Sequence, residues 1–351
     1  MSHGTDSEPL ARRGRLARLR RGLLASALAL LVAFALVEAL ARMRFGTPLA
    51  ERLPICRVEA NPHRGWQMVP GETHYTYLHE VHINALGLRG PEVLPKAEGE
   101  RRVLALGDSL IYGQGVADDQ TLPFHLELFL NERDGDRPWT VINAGHRAYD
   151  TRQELGLLEE LGDQLRPDVV VVFWYWNDVK ERDIDGTFRN LSESGPIAFD
   201  TGAAMEGWTK TKWQLKQLVR RSALIMTAHD KRKNRAGDPT PPDFLDNAMK
   251  RLDGYLVRFQ ELSARDGFDL VFALVPDANG LVGPYLSLEI TDRARRVAEE
   301  RGVRICLLRP ALEGLLKDLG ELPVLPYDGH YTAAGNRAMA EAAAAALLSM
   351  D

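Results

Sequence analysis

The segment that most restricts this chain is Gly22–Ala41, GLLASALALLVAFALVEALA, twenty residues with one charge, Glu38. As a helix rising ~1.5 Å per residue it spans ~30 Å, the hydrocarbon thickness of a bilayer. Six arginines stand directly before it, between Arg12 and Arg21. Positive charge on that side keeps residues 1–21 in the cytoplasm and sends the remainder across. No later stretch is as long and as free of charge, so a single transmembrane signal anchor over 22–41 is expected. Two other readings stay open. Ala39-Leu40-Ala41 fits an A-x-A cleavage site, although the run exceeds the ~7–15 apolar residues usual in a signal peptide. A buried core helix is the third, and the arginine flank speaks against it. Anchor and signal peptide both put the body outside the cytoplasm.

Charge divides at the same place. The first 44 residues hold eight arginines and three acids, whereas the rest holds 36 basic and 46 acidic residues. An acidic body with a net charge of −5 for the whole chain argues against nucleic acid as a partner. Two cysteines, Cys56 and Cys306, exclude a disulfide scaffold and leave no cysteine cluster for zinc. The two could pair in an oxidising compartment; Cys306 falls in an expected core strand, which favours two unpaired thiols.

Residues 42–100 read as a linker and lead-in segment, with a strand-like alternation at His79–Asn84 and Gly/Pro punctuation at Gly87, Gly90 and Pro91. From residue 101 onward apolar runs alternate with helical periodicity. Strands are expected at Val103–Leu106, Thr140–Asn143, Asp168–Trp174, Asp269–Val275 and Val303–Leu308. Helices are expected at Thr121–Asn131, Thr151–Leu165, Phe244–Ala264, Ile290–Arg301 and Thr332–Ser349. Residues 183–240 interrupt the rhythm as an insertion, with one basic amphipathic helix over Trp208–Asp230. Its lysines and arginines (Lys210 to Lys233) form a solvated face or a surface for anionic lipid or an acidic glycan. Five apolar strands with intervening helices imply a parallel sheet covered on both faces, a three-layer α/β/α domain over 101–351. Ligands of such sheets bind at the carboxyl ends of the strands.

At those ends stand Gly107-Asp108-Ser109-Leu110, then Asn143-Ala144-Gly145-His146-Arg147-Ala148-Tyr149, then Trp176-Asn177-Asp178, and, before the last helix, Asp328-Gly329-His330. A hydroxyl, an imidazole, a carboxylate and a carboxamide are the parts of acyl transfer. A serine hydroxyl is a weak nucleophile until an imidazole takes its proton, a carboxylate fixes the imidazole tautomer, and N–H donors hold the oxyanion. Asp108 and Asp178 read as carboxylates that brace loops. Trp174, Tyr175 and Trp176 either pack in the core and rim or line a pocket for an acyl chain or sugar. No metal or organic cofactor is implied.

The four blocks resemble the SGNH hydrolases, also called the GDSL esterase/lipase family, over roughly 101–348. Asn84-Ala85-Leu86-Gly87-Leu88-Arg89-Gly90 resembles the lead-in of bacterial membrane-anchored members, which implies a body on the periplasmic side of a bacterial inner membrane. The resemblance implies a flavodoxin-like sheet, Ser109 as nucleophile, His330 as general acid/base and Asp328 as its orienting acid. It implies an oxyanion hole from the N–H groups of Ser109 and Ala148 and the amide of Asn177. Three departures stand out. Ala148 occupies the usual glycine of the second block, Trp176 replaces the glycine before Asn177, and Asp328 lies two residues before His330 rather than three. Alanine serves as well as glycine if its φ is negative and is strained otherwise. The implied substrate is an acylated carbohydrate, such as an O-acetylated envelope or exported polysaccharide, or a lipid ester. Hydrolase and O-acyltransferase would use the same residues, and a catalytically silent glycan-binding or assembly factor is the rival from another class.

Overall fold

A computed structural model describes residues 7–181, 207–233 and 243–350. The expected insertion at 183–240 therefore lies partly outside the described residues. Two compact units are formed, one centred on α1 (Ser7–Phe45) and the chain from Lys216, the other holding the sheet and its helices.

In the larger unit two antiparallel hairpins come first, β1 (Val58–Asn61) with β2 (Gly65–Met68) and β3 (Thr73–Thr76) with β4 (His79–His82). The expected alternation at His79–Asn84 is thus β4 and the turn after it. The five expected strands follow as β5 (Arg101–Gly107), β6 (Trp139–Gly145), β7 (Val169–Trp174), β8 (Asp269–Leu274) and β9 (Arg304–Leu307). They form one parallel sheet in the order β6-β5-β7-β8-β9. Numbered within the sheet this is 2-1-3-4-5, the flavodoxin-like winding, whose switch point lies between β5 and β7.

Alternation along each strand feeds two cores. Leu104, Leu106, Val170, Val172 and Phe272 face α4 (Thr151–Leu165), α7 (Phe244–Asp266) and α8 (Leu286–Glu300). Val103, Ala105, Val169, Val171 and Val271 face α3 (Leu122–Arg133), α9 (Arg309–Leu319) and α10 (Ala333–Leu348). All six residues of β7 are buried, as a central strand covered on both faces requires. Helix starts follow local capping chemistry: Thr121 caps α3, the box Asp150/Gln153 opens α4, and Thr332 caps α10.

The expected single helix over Trp208–Asp230 is corrected to two, α5 (Gly207–Arg220) and α6 (Ala223–Lys233). The chain breaks at Arg221-Ser222 because α6 has its own N-cap. The Ser222 hydroxyl accepts from Ile225 N–H at 3.3 Å, and the Glu38 carboxylate accepts from Ala223 and Leu224. That carboxylate comes from α1, which no periodicity within 208–230 could reveal. Cys56 and Cys306 are free and buried.

Candidate active site

Ser109 opens a one-turn helix, α2 (Ser109–Tyr112), directly after β5. Two glycines let that turn sit on the strand ends. Gly107 and Gly145 are register partners across β5 and β6. A Cβ on Gly107 would lie 2.3 Å from an Ile111 side-chain carbon, and one on Gly145 only 2.1 Å from the Tyr112 backbone nitrogen. No side chain fits either position, so both residues are fixed by the close approach of α2. Asp108 caps α2, its Oδ1 accepting from Leu110 N–H at 2.8 Å.

The Ser109 hydroxyl lies 2.7 Å from His330 Nε2, and His330 Nδ1 is hydrogen-bonded to Asp328 Oδ1. Asp328 Oδ1 also accepts the backbone N–H of His330 at 3.1 Å. That contact is an Asx turn, and it explains how a two-residue spacing suffices. Gly329, with φ 91°, folds the chain back so that one carboxylate oxygen meets both the backbone and the ring. Ser109 is half-buried, and the side chains of His330 and Asp328 are 20% and 9% exposed.

The second oxygen of Asp328 accepts from the Tyr77 hydroxyl and from Gln114 Nε2 at 3.0 Å. Burial pushes the Asp328 carboxyl up, but its bond and attraction to His330, the Tyr77 hydroxyl and the backbone N–H outweigh it and hold it well below the ordinary 3.8. It is therefore an anion at neutral pH, as the partner of an imidazolium must be. Tyr77 is the first residue of the two-residue turn between β3 and β4, with φ 54°. That position favours glycine in a hairpin, so the tyrosine is held against its backbone preference. Gln114 also accepts from Arg147 Nε at 2.9 Å, which joins the acid to the block carrying Ala148.

Sequence reasoning missed Tyr77 and Gln114, and it placed Arg89 only within the lead-in block, without a role. This buried arginine donates to the carbonyls of Tyr112, Gly113 and Val116 and to Asp118. The lead-in segment thus fixes the loop that carries Gln114. The only sequence signal was Gly113 and Gly115 flanking Gln114, both with positive φ.

Ala148 has φ 64°, so the condition under which alanine would be unstrained is not met. Among the described residues neither its N–H nor that of Ser109 is used in a hydrogen bond. Asn177 lies in a single 3₁₀ turn after β7 and donates through Nδ2 to Asp108 Oδ2 at 3.0 Å. An amide nitrogen carries two hydrogens, so one remains for a ligand. Asp108 thus braces both Ser109 and Asn177. Trp174 is core, packed on Phe272 with ring centres 6.0 Å apart. Tyr175 and Trp176 are half-buried.

Below Asn177 lies a buried acidic layer. Asp178 accepts from the Thr151 hydroxyl at 3.0 Å, while its other oxygen and both oxygens of Glu154 are buried without partners. Burial first, then the mutual proximity of these two acids and of Asp108 and Asp150, pushes Glu154 and Asp178 well above the ordinary carboxylate range. Both are thereby biased toward the protonated form. His146, in the second block, is fully buried and stacked on Tyr149 at 4.1 Å. Burial and the nearby Arg64 charge lower it to about 3, so it stays neutral and packs. No group of three or more His, Cys, Asp or Glu among the described residues could hold a metal ion.

No protein-family model and no curated protein matches the chain. Solved structures resemble it in fold. TesA is 16% identical, with a TM-score of 0.44 over 72% of this chain and 100% of that one. A lipolytic G-D-S-L family protein from Veillonella parvula is 13% identical, with a TM-score of 0.39 over 69% and 96% of the two chains. A catalytic mutant of Axe2, an acetylxylan esterase from Geobacillus stearothermophilus, is 14% identical, with a TM-score of 0.41 over 70% and 94%.

Proposed function

We propose that this chain is a serine ester hydrolase of the SGNH type, anchored by α1 with its sheet domain outside the cytoplasm. The observation that carries the reading is the relay Ser109 Oγ, His330 Nε2 and Nδ1, Asp328 Oδ1, with 2.7 Å between hydroxyl and imidazole. His330 takes the Ser109 proton as the hydroxyl attacks the ester carbonyl, and Asp328 stabilises the imidazolium that forms. The tetrahedral oxyanion is met by the unused N–H groups of Ser109 and Ala148 and by the free hydrogen of the Asn177 amide. His330 then gives its proton to the leaving alcohol. Water, activated by the same imidazole, releases the acid from the acyl-enzyme.

The partly exposed Ser109 suits a substrate that is itself large and presents its acyl group at a surface. Trp176, next to Asn177 in the chain, is half-buried against the core, and an aromatic ring left partly open at this point of the chain suits a sugar ring. We assign an acetylated carbohydrate as the substrate class. The anchor reading is supported by a stretch of 28 residues within α1, Arg18–Phe45, long and apolar enough to cross a membrane.

Release of p-nitrophenol from p-nitrophenyl acetate by the detergent-solubilised full chain tests the reading. Activity in wild type and its loss in both Ser109→Ala and His330→Ala is expected. A well-folded wild type that neither turns over the ester nor labels at Ser109 with a phosphonate probe would overturn it.

A further inference from the structure

Glu38 is the single charge in the apolar run Gly22–Ala41, and it is surrounded by donors. Its carboxylate accepts the N–H of Ala223 at 2.8 Å, the N–H of Leu224 at 3.1 Å, the Ser222 hydroxyl at 2.8 Å and Arg42 Nε at 2.8 Å. Arg42 also donates to the Arg221 carbonyl at 2.6 Å. A residue of α1 thus caps α6, and its neighbour holds the turn before the cap. Ala41 and Ala223, both small and buried at 7% and 0% exposure, let the two helices meet closely.

The depth of this clamp follows from chain geometry. Glu38 lies roughly 24 Å along the helix from Gly22, within a run that spans ~30 Å of hydrocarbon. A carboxylate at that depth is costly unless satisfied, and the Arg221–Leu224 turn satisfies it. The donors must therefore sit at the depth of Glu38 and carry their neighbours with them. Those neighbours are not a polar loop. Leu218, Val219 and Ile225 are 65%, 48% and 41% exposed, interleaved with exposed Lys216 and Arg221 and half-buried Arg220. Exposed aliphatics set among cations match the boundary between acyl chains and anionic headgroups.

We propose that the elbow over residues 216–225 is a membrane-interface element that rests in the anionic headgroup layer at the far end of the span. Leu218, Val219 and Ile225 enter the acyl boundary, and Lys216, Arg220 and Arg221 reach lipid phosphates. Glu38 is the positioning residue that holds the elbow at that level. The inference rests on the reading of α1 as a span, and it gives that span's one charge a task.

Depth-dependent fluorescence quenching on the full chain in lipid nanodiscs tests it. One cysteine is introduced at a time, Leu30→Cys in the middle of the span or Leu218→Cys on the elbow. The native cysteines are buried and should resist labelling in the folded chain. Lipids carrying a quencher in mid-chain should quench the label at position 30, and lipids with a shallow quencher should quench the label at position 218. Shallow quenching should be stronger in discs containing phosphatidylglycerol than in neutral discs, and weaker in high salt. Replacing Lys216 and Arg221 with Gln should remove that lipid dependence, and Glu38→Ala should abolish shallow quenching while Glu38→Gln retains part of it. An unquenched label at position 30 would sink the span itself. Quenching at position 30 with none at position 218 would overturn the elbow proposal alone. So would protection of position 218 only in discs loaded with two copies, because a second chain would then cover the elbow.

Discussion

Replacing Tyr77 with Phe removes one oxygen atom and tests how the catalytic acid is held. Asp328 has four donors: His330 Nδ1 and the His330 N–H on Oδ1, and the Tyr77 hydroxyl and Gln114 on Oδ2. A hydrogen bond to a charged group contributes ~1.5–3 kcal/mol. If that whole sum served to orient the imidazole, its loss would lower kcat/KM by roughly 10–150-fold. Gln114 stays on the same oxygen, so the lower end of that range is expected. Circular dichroism and the thermal midpoint should change little, because the ring still fills its place. A Tyr77→Phe enzyme within two-fold of wild type in kcat/KM for p-nitrophenyl acetate would refute the argument that Tyr77 acts through Asp328.

Three other outcomes follow from packing, charge and backbone geometry. Gly145→Ala puts a Cβ 2.1 Å from the Tyr112 nitrogen and 2.4 Å from the Ile111 carbonyl carbon. It should cost ~1–3 kcal/mol or more in denaturant melts and displace Ser109, whereas Gly254→Ala, with nothing within 4 Å, should stabilise the chain by ~0.5–1 kcal/mol. Glu154 is held above its ordinary 4.5. The folded chain keeps a proton that the unfolded chain gives up above that value, so this residue costs stability as pH rises, by up to ~1.4 kcal/mol per pH unit until the buried group itself ionises. Glu154→Gln should consequently gain thermal stability over wild type at about pH 8 and show no such gain at about pH 4; equal shifts at both values would contradict a bound proton. Ala148→Gly should retain kcat, because the N–H remains and φ 64° suits glycine, and a large loss would mean that the methyl group, rather than the N–H, matters to the acyl site.

Much of the framework was legible in the sequence because it rests on local chemistry. β7 is an unbroken apolar run, and β5 beside it and β6 next to β5 end in Gly107 and Gly145. Helices α3, α4 and α10 carry their caps within four residues of their first turns. Once the strands are placed, the parallel winding puts Ser109, Asn177 and Ala148 near one edge, and His330 follows from its place before the closing helix. Helix α9 was not expected, although Leu312, Leu315, Leu316 and Leu319 stand at helical spacing; Gly314 inside it and Pro310 and Gly320 at its ends break up so short a segment. The split of the expected helix over Trp208–Asp230 also escaped notice, because its cause is a carboxylate on α1.

By itself, then, the sequence determined the five-stranded sheet, the residue types at its carboxyl edge and the length of the apolar helix. These follow from side-chain period, from turn chemistry and from the rise per residue. Only the tertiary structure decided what holds those parts in working geometry. Tyr77 and Gln114 reach Asp328 across separations of 251 and 214 residues, Arg89 gathers three carbonyls of the loop after Ser109, and Glu38 caps a helix far along the chain. A tyrosine in a hairpin turn or a glutamate in an apolar run has the same local preferences whatever partner it finds. The partner is chosen by the packing of whole elements, which fixes where a hydroxyl or a carboxylate can find its donor or acceptor without water.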